Sequence, residues 1–442
     1  MSRTFTEGSI AKKLLLFSLP ILLSNFLQAS ILLINALWVG NLLGSAAFAA
    51  ITVGTMVMVV ILAFVFGINN ATLTIFAQLK GAGNKTEIRN YLSTFTIILV
   101  VLSLLIGAIG YILSKPVLIL LNTPDAILES ATAYLKINFV GTLFLVGYNF
   151  IGTILRAFGD SKTPLYFVLM AAVLTAVLDP LFIAVFKLGV AGSAYATVLA
   201  QGSAFIYSLF FLARRHGHQG FQLTPPKWVE VKTIMQLGIP SGMQMIVIYA
   251  GLTVILSVVN TFGDAVVSGF GVAQRLDNLV LLPAVALGTA VNAMAAQNIG
   301  VQNWTRVTQI SRVGVLYNVS IMSFLSAILF IFAEPLIKLF ITDRDSMNFG
   351  VSYLKTIAFF YPFIGLNFIF NGIVRSSGAM FQVLVLNIIS LWMLRVPLVY
   401  WMTALFGESG IALGIGISFL TSCLFSMAYY YYGGWRNKRL FD

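Results

Sequence analysis

Two acidic side chains stand where acids are costly. Twelve of the fourteen Asp and Glu residues are expected in loops or tails, which leaves Asp179 and Asp277 inside long apolar stretches. A carboxylate at membrane depth has to be paired, hydrated or protonated, so each is a candidate functional group. Asp179 has the richer setting. Pro180 follows it and cannot donate to a helical ladder, which frees a carbonyl one turn back near Ala176. Thr175, four residues earlier, falls on the same helical face. A carboxylate, a hydroxyl and a freed carbonyl at one level can hold a proton or a hydrated sodium ion, and no other metal site is expected.

Polar residues at helical spacing add to this picture. Asn25, Gln28 and Asn35 share one face of the first apolar stretch, and Asn138, Thr142, Asn149 and Thr153 share one face of the fourth. Such amides are costly against lipid, so they point into a hydrated cavity or a helix interface. In the eighth stretch Arg275 and Asp277 are two residues apart and face nearly opposite ways. Arg275 is within reach of Asn278, and Asp277 of Gln274, with anchoring and ion coupling both open as roles. Gln28, Asn35, Asn149, Gln274, Arg275, Asp277 and Asn278 together form the candidate substrate cavity. Arg395, close to Pro397, is expected to snorkel or to cap a kink.

Enzyme chemistry has no foothold. Neither histidine lies in an apolar stretch, no carboxylates pair on one face, and P-loop, HExxH and GxSxG motifs are absent from the sequence. His216 and His218 lack an acidic or cysteine partner nearby and are expected to be solvated. No cofactor is implied. Without a nucleotide site, any transport must run on an ion gradient or on substrate flow.

The elements that position these residues follow from composition. The chain is 59% hydrophobic and 9% charged, against about 25% charged residues in a soluble protein. Its solvent is therefore lipid. Apolar stretches of spanning length lie at about 14–40, 46–78, 91–113, 130–156, 164–186 and 190–213, then 234–260, 264–297, 313–333, 351–374, 382–406 and 409–432. The second and eighth look unusually long. Cys423 lies in the last stretch and is expected to be a buried, inert thiol.

The twelve stretches form two copies of one unit. A shift of 219 residues lays Ala77, Gln78, Gly81, Asn84 and Thr86 on Ala296, Gln297, Gly300, Asn303 and Thr305, and Tyr134, Lys136, Arg156 and Gly159 on Tyr353, Lys355, Arg375 and Gly378. An even number of crossings per copy makes the repeats parallel. The expected fold is an all-α integral membrane protein of two pseudo-twofold-related six-helix bundles, with lobes at 1–213 and 233–442 joined by a linker at 214–232. Most Lys and Arg, including Arg3, Lys12, Lys80, Lys85, Arg89, Arg214, Arg306 and Arg436, then fall on one side. The positive-inside rule places that side and both termini in the cytoplasm of a multi-pass cell-membrane protein. The first apolar run lacks a small-residue cleavage site and is expected to remain as a helix. The net charge of +12 is a topological signal with lipid contact as a second role. The dispersed basic residues do not form a nucleic-acid surface, and no obligate protein partner is evident.

These residues resemble the multidrug and toxic compound extrusion (MATE) transporters. The likeness runs through Gly8 to Lys13, Leu19-Pro20, Asn25 to Gln28, Trp38-Val39-Gly40, Leu155 to Lys162, Leu178 to Phe182 and Gly189 to Gly192. In the second repeat it includes Val374 to Gly378 and Arg395 to Leu398. The resemblance implies a V-shaped pair of six-helix lobes that exports amphipathic, mainly cationic compounds in exchange for H+ or Na+ by alternating access. It puts the ion-coupling site at Asp179, with Asn149, Thr175 and Thr197 around it. Asn35 stands where many relatives carry an acid, Thr175 stands where an Asn is common, and the second-lobe acids of the sodium-coupled branch are missing. Asp179 is thus expected to act largely alone. The alternative within the same superfamily is a flippase for lipid-linked oligosaccharide or other precursors, which commonly has a cationic cavity.

Overall fold

The computed structural model describes residues 5–216, 224–341 and 343–441. Among them there is no β-strand. The helices are α1 (Ile10–Leu43), α2 (Ser45–Ala82), α3 (Lys85–Leu120), α4 (Asp125–Val140), α5 (Thr142–Ala157), α6 (Lys162–Pro180) and α7 (Gly189–His216). They continue with α8 (Trp228–Asn260), α9 (Asp264–Gly300), α10 (Trp304–Lys338), α11 (Arg344–Ala358), α12 (Tyr361–Ser376), α13 (Met380–Ile388), α14 (Val396–Phe406) and α15 (Ser409–Tyr432). Among the described residues ten helical segments are long and apolar enough to cross a membrane, and there are twelve if the pairs α4–α5 and α11–α12 each form one span. That matches the expected twelve in number. It differs in form, because the fourth and tenth spans are bent, by 46° and 52°.

The bends have local causes. At the first, Gly141 is so close to α7 that an added Cβ would lie 2.5 Å from a Val198 methyl. At the second, Pro362 sits in the opening turn of α12, where its missing N–H costs nothing. Two other spans are irregular. A π-helical turn, Leu181–Val185, follows Pro180, and a longer one, Ile389–Arg395, separates α13 from α14. Pro180 ends the regular ladder, as its missing donor requires.

The repeat is visible in the caps. Asn84 and Asn303, 219 residues apart in sequence, each accept from the backbone N–H three residues on, at 3.1 Å, and so start α3 and α10. Gly44 and Gly263 precede α2 and α9 with φ of 85° and 93°, a conformation that suits glycine. The second and eighth spans are not set apart by length, however. α2 and α9 have 38 and 37 residues, while α3 and α10 have 36 and 35. Polar terminal turns extend the helices beyond their apolar stretches.

Two compact units result. One is built on Leu23–Gly238, and the other joins Thr4–Leu22 to Ile239–Asp442. α1 and α8 thus each contribute to both units. α7 runs to His216 and α8 starts at Trp228; residues 217–223 of the expected linker, His218 among them, lie outside the described residues.

Within the first unit the segment leading into α8 is tied to α3. Ser93 Oγ is 2.8 Å from both the N–H and the carbonyl of Thr224, and the Thr94 hydroxyl donates to Glu230. Glu230 is buried in the first turn of α8, not in a loop as its sequence position suggests, and it also accepts from the Lys227 N–H at 3.3 Å. Glu334 is likewise helical, on α10, and pairs with Lys338 at 2.6 Å.

Within the second unit the amino-terminal arm plays a related part. The Phe5 N–H donates to Gln297 Oε1 at 3.0 Å, and Asn298 donates to the Phe5 carbonyl at 3.2 Å. Arg306 donates to the carbonyls of Phe5, Glu7 and Gly8 at 3.0, 2.9 and 2.7 Å. Buried Phe5 packs edge-on against Phe17. Cys423 is free and buried in α15.

Candidate functional site

In the first unit, three helices converge on one acid. Asp179 is the next-to-last residue of α6 and is 0% exposed. α1 brings Asn35, and α7 brings Ser193 and Thr197, which lie one turn apart and so share a face. The Asn35 amide is satisfied in one orientation only. Its nitrogen then donates to the Asp179 carboxylate, at 3.0 Å to Oδ1, and lies 3.2 Å from Ser193 Oγ, while its oxygen accepts from the Thr197 hydroxyl at 3.0 Å. Ser193 also hydrogen-bonds Asp179. Thr175 is buried one turn earlier on α6, but the polar contacts of the carboxylate come from Asn35 and Ser193.

No lysine or arginine pairs with Asp179 among the described residues. Its neighbours are a neutral amide and hydroxyls, and Val39, Ile51, Ile183, Val190 and Tyr134 form an apolar cluster in the same unit. A buried carboxylate set among neutral oxygens can be neutralised by a proton or by a monovalent cation drawn in beside it.

The expected partner Asn149 is engaged elsewhere. It donates to its own helix at Leu145 O, 2.9 Å away, and its oxygen accepts from Gln28 at 3.4 Å. Gln28 and Asn149 therefore join the facing stripes of α1 and α5. Asn138 bonds back to the Tyr134 carbonyl at 2.9 Å, and Thr153 to the Asn149 carbonyl at 2.9 Å. Those two serve the helix ladder.

In the second unit the polar residues of α9 separate. Arg275 and Asn278 are exposed, and Gln274 is half-buried. Asp277, also half-buried, does not turn to Gln274. It accepts from the hydroxyl of Tyr353 on α11, at 3.0 Å, and from that of Tyr361 on α12. The two phenols are longer than the amide and come from helices packed on α9, so they reach the carboxylate first. Arg395 does not snorkel. It is buried at the end of the π-helical segment, donates to Ser418 Oγ at 2.9 Å and stands 4.9 Å from the Phe419 ring centre.

Three groups escaped the reading of the sequence. Ser193 carried a signal, being four residues before Thr197. Tyr353 carried one as well, since it repeats Tyr134. Asn367, Asn371 and Ser426 form a buried network, with Asn371 to Asn367 at 2.7 Å and Ser426 to Asn367 at 2.6 Å. Only the i, i+4 spacing of its two amides was visible beforehand.

Comparison with known proteins gives a consistent result. The MatE family model matches the chain twice, over residues 20–181 and 240–401. The "Probable multidrug resistance protein YpnP" of Bacillus subtilis is 51% identical over 438 residues, covering 99% of this chain and 98% of the relative. A second protein of that organism, "Probable multidrug resistance protein YoeA", is 28% identical over 98% of this chain and 96% of its own length. Among solved structures, a variant of the Vibrio cholerae MATE transporter VcmN superposes with a TM-score of 0.91 at 20% identity, covering 98% of both chains. The twofold match within one chain is what a duplicated six-span unit requires. This multi-pass membrane protein belongs to the MatE family of multidrug and toxic compound extrusion (MATE) transporters.

Proposed function

We propose that the protein is a cation-coupled antiporter of the cell membrane, with both termini in the cytoplasm. It exchanges H+ or Na+ for amphipathic, mainly cationic compounds by alternating access of lobes at 1–213 and 233–442. The observation that carries this reading is Asp179, fully buried with an amide and hydroxyls around it and, among the described residues, no cationic side chain paired to it. An ion that enters this cluster supplies the missing positive charge, and its departure leaves a carboxylate held by Asn35 and Ser193. Thr197 acts through Asn35, fixing which way the amide points. Thr175, one turn before Asp179 on α6, and Asn149 on α5 are proposed as further members of the coupling site. The multidrug resistance names of the two Bacillus subtilis relatives support export of varied small molecules.

In the second unit Gln274, Arg275, Asp277 and Asn278 lie on one helix and are proposed substrate contacts, as are Gln28, Asn35 and Asn149 of the first unit. A cavity of this type selects by size, apolarity and charge.

The test is uptake of a fluorescent lipophilic cation into proteoliposomes under an imposed pH or sodium gradient. Gradient-driven uptake by the native protein and its loss in Asp179→Asn, with the variant still inserted in the membrane, is the expected result. Undiminished uptake by Asp179→Asn overturns the coupling role. Uptake under neither gradient overturns the antiporter reading and directs the search to lipid-linked precursors.

A further inference from the structure

The second unit holds a carboxylate that the coupling site does not use, and it spans a break in a helix. α11 ends at Ala358 and α12 begins at Tyr361, with a bend of 52° between them. Tyr353 lies before the break and Tyr361 after it. Both hydroxyls donate to one carboxylate, Asp277 of α9, Tyr353 at 3.0 Å. The two tyrosines are 3% and 0% exposed, so their hydroxyls depend on this partner.

The first unit shows what the bend is like without it. Tyr134 repeats Tyr353, yet its hydroxyl meets the Thr55 hydroxyl at 3.4 Å. Among the described residues no carboxylate bonds both halves of the first bent pair, which has Met58 and Thr142 where the second repeat has Asp277 and Tyr361.

We propose that Asp277 is a second proton-binding site, one that clasps the α11–α12 bend. As a carboxylate it accepts from both tyrosines through charge-assisted bonds, which are about twice as strong as neutral ones. With a proton on one oxygen the group is neutral, that oxygen becomes a donor, and both phenol bonds lose the charge that strengthened them. The two helix halves are then free to change their angle. The proton comes from water and returns to it; no covalent bond other than O–H is made or broken.

The charged groups on the packed elements leave this role to Asp277. Arg275 on α9 is exposed, and Glu334 and Lys338 near the end of α10 pair with each other. Lys355 on α11 lies 5.9 Å from the Phe330 ring centre. Arg395 is engaged by Ser418 Oγ at 2.9 Å and by the Phe419 ring.

The experiment is hydrogen–deuterium exchange of residues 353–363 in the reconstituted full-length protein, normalised for the intrinsic pH dependence of amide exchange. In the native protein, protection is expected to fall about tenfold between about pH 8 and pH 5 as the clasp loosens. Asp277→Asn is expected to be poorly protected at both values, with no pH dependence. Tyr361→Phe keeps the carboxylate and the ring, so it guards against misfolding; it should show lowered protection at high pH and a shallower response. Native protection that does not change with pH, or a pH response that survives Asp277→Asn, overturns the proposal. Asp179→Asn measured in parallel should keep the native response, so failure of the export reading and failure of the clasp are told apart.

Discussion

Asn35 of α1 turns its amide nitrogen to the carboxylate of Asp179 on α6, and Thr197 of α7 holds the amide oxygen at 3.0 Å. The amide is therefore neither a spectator nor a substitute acid. It donates to a carboxylate that no lysine or arginine pairs among the described residues, and it ties the second half of α1 to α6 and α7.

The first prediction follows from that tie. A hydrogen bond to a charged group is worth about 1.5–3 kcal/mol, and leaving a buried carboxylate unpaired costs a similar amount. Asn35→Ala should lower stability by about 1–3 kcal/mol, read as a lower melting temperature in detergent. In an Asp179→Asn background the same change should cost less, because the charge that needs the donor is gone. Equal costs in both backgrounds would show that Asn35 serves packing alone.

Arg306 gives the second. Its guanidinium reaches three carbonyls of the amino-terminal arm, those of Phe5, Glu7 and Gly8. Arg306→Ala should release the arm, costing about 1–3 kcal/mol and exposing residues 5–8 to protease. Arg306→Lys should fail to restore it, since a point charge cannot span what a planar fork spans. An arm equally resistant in both variants would mean that Phe5 and its packing on Phe17 suffice.

Much of this was readable in the residues, for physical reasons. Asp179 declared itself because a carboxylate in an apolar span needs an explanation, and Asn35 because polar residues recur on one helical face, whereas Thr197 was reached only through the family resemblance. The repeat declared itself through cap residues, Asn84 with Asn303 and Gly44 with Gly263, whose roles are local. The Asp277 contacts were hidden because they join α9 to tyrosines more than seventy residues away in sequence. Periodicity describes which face a residue occupies and says nothing of what another helix brings to it. The bends were hidden too, since an apolar run looks the same whether the helix through it is straight or broken. Charge was misleading at Glu230, which looked like a loop acid and is buried under Thr94.

A third prediction concerns acid. Asp343 caps α11 and accepts from the Ser346 N–H at 3.0 Å and from its hydroxyl at 2.8 Å. The backbone N–H first and the hydroxyl second hold its carboxyl below the ordinary carboxylate value. A group whose folded value is depressed contributes stability above its unfolded value, about 3.9 for Asp, and loses it as pH falls through the folded value. Asp343→Ala should therefore lower the melting temperature at neutral pH and make progressively less difference below about pH 4. The measurement is a thermal scan of both proteins across that range, and a difference that stays constant with pH would assign the effect to something other than the cap's charge.

The break in the fourth span supplies the last prediction. α4 and α5 meet at Gly141, which is buried and packed so closely on α7 that a Cβ there would sit 2.5 Å from one methyl of Val198 and 2.9 Å from the other. Its φ of −78° is open to any residue, so the requirement for glycine is one of space and not of backbone conformation. Gly141→Ala should destabilise the protein by about 1–3 kcal/mol, the usual cost of overpacking a filled site. α7 also carries Ser193 and Thr197, so the displaced helix should loosen the Asp179 cluster and lower coupled uptake together with the melting temperature. Val198→Ala makes room at the point of contact. Combined with Gly141→Ala it should recover part of both losses, whereas a double variant no better than the single one would mean that the bend depends on glycine for another reason.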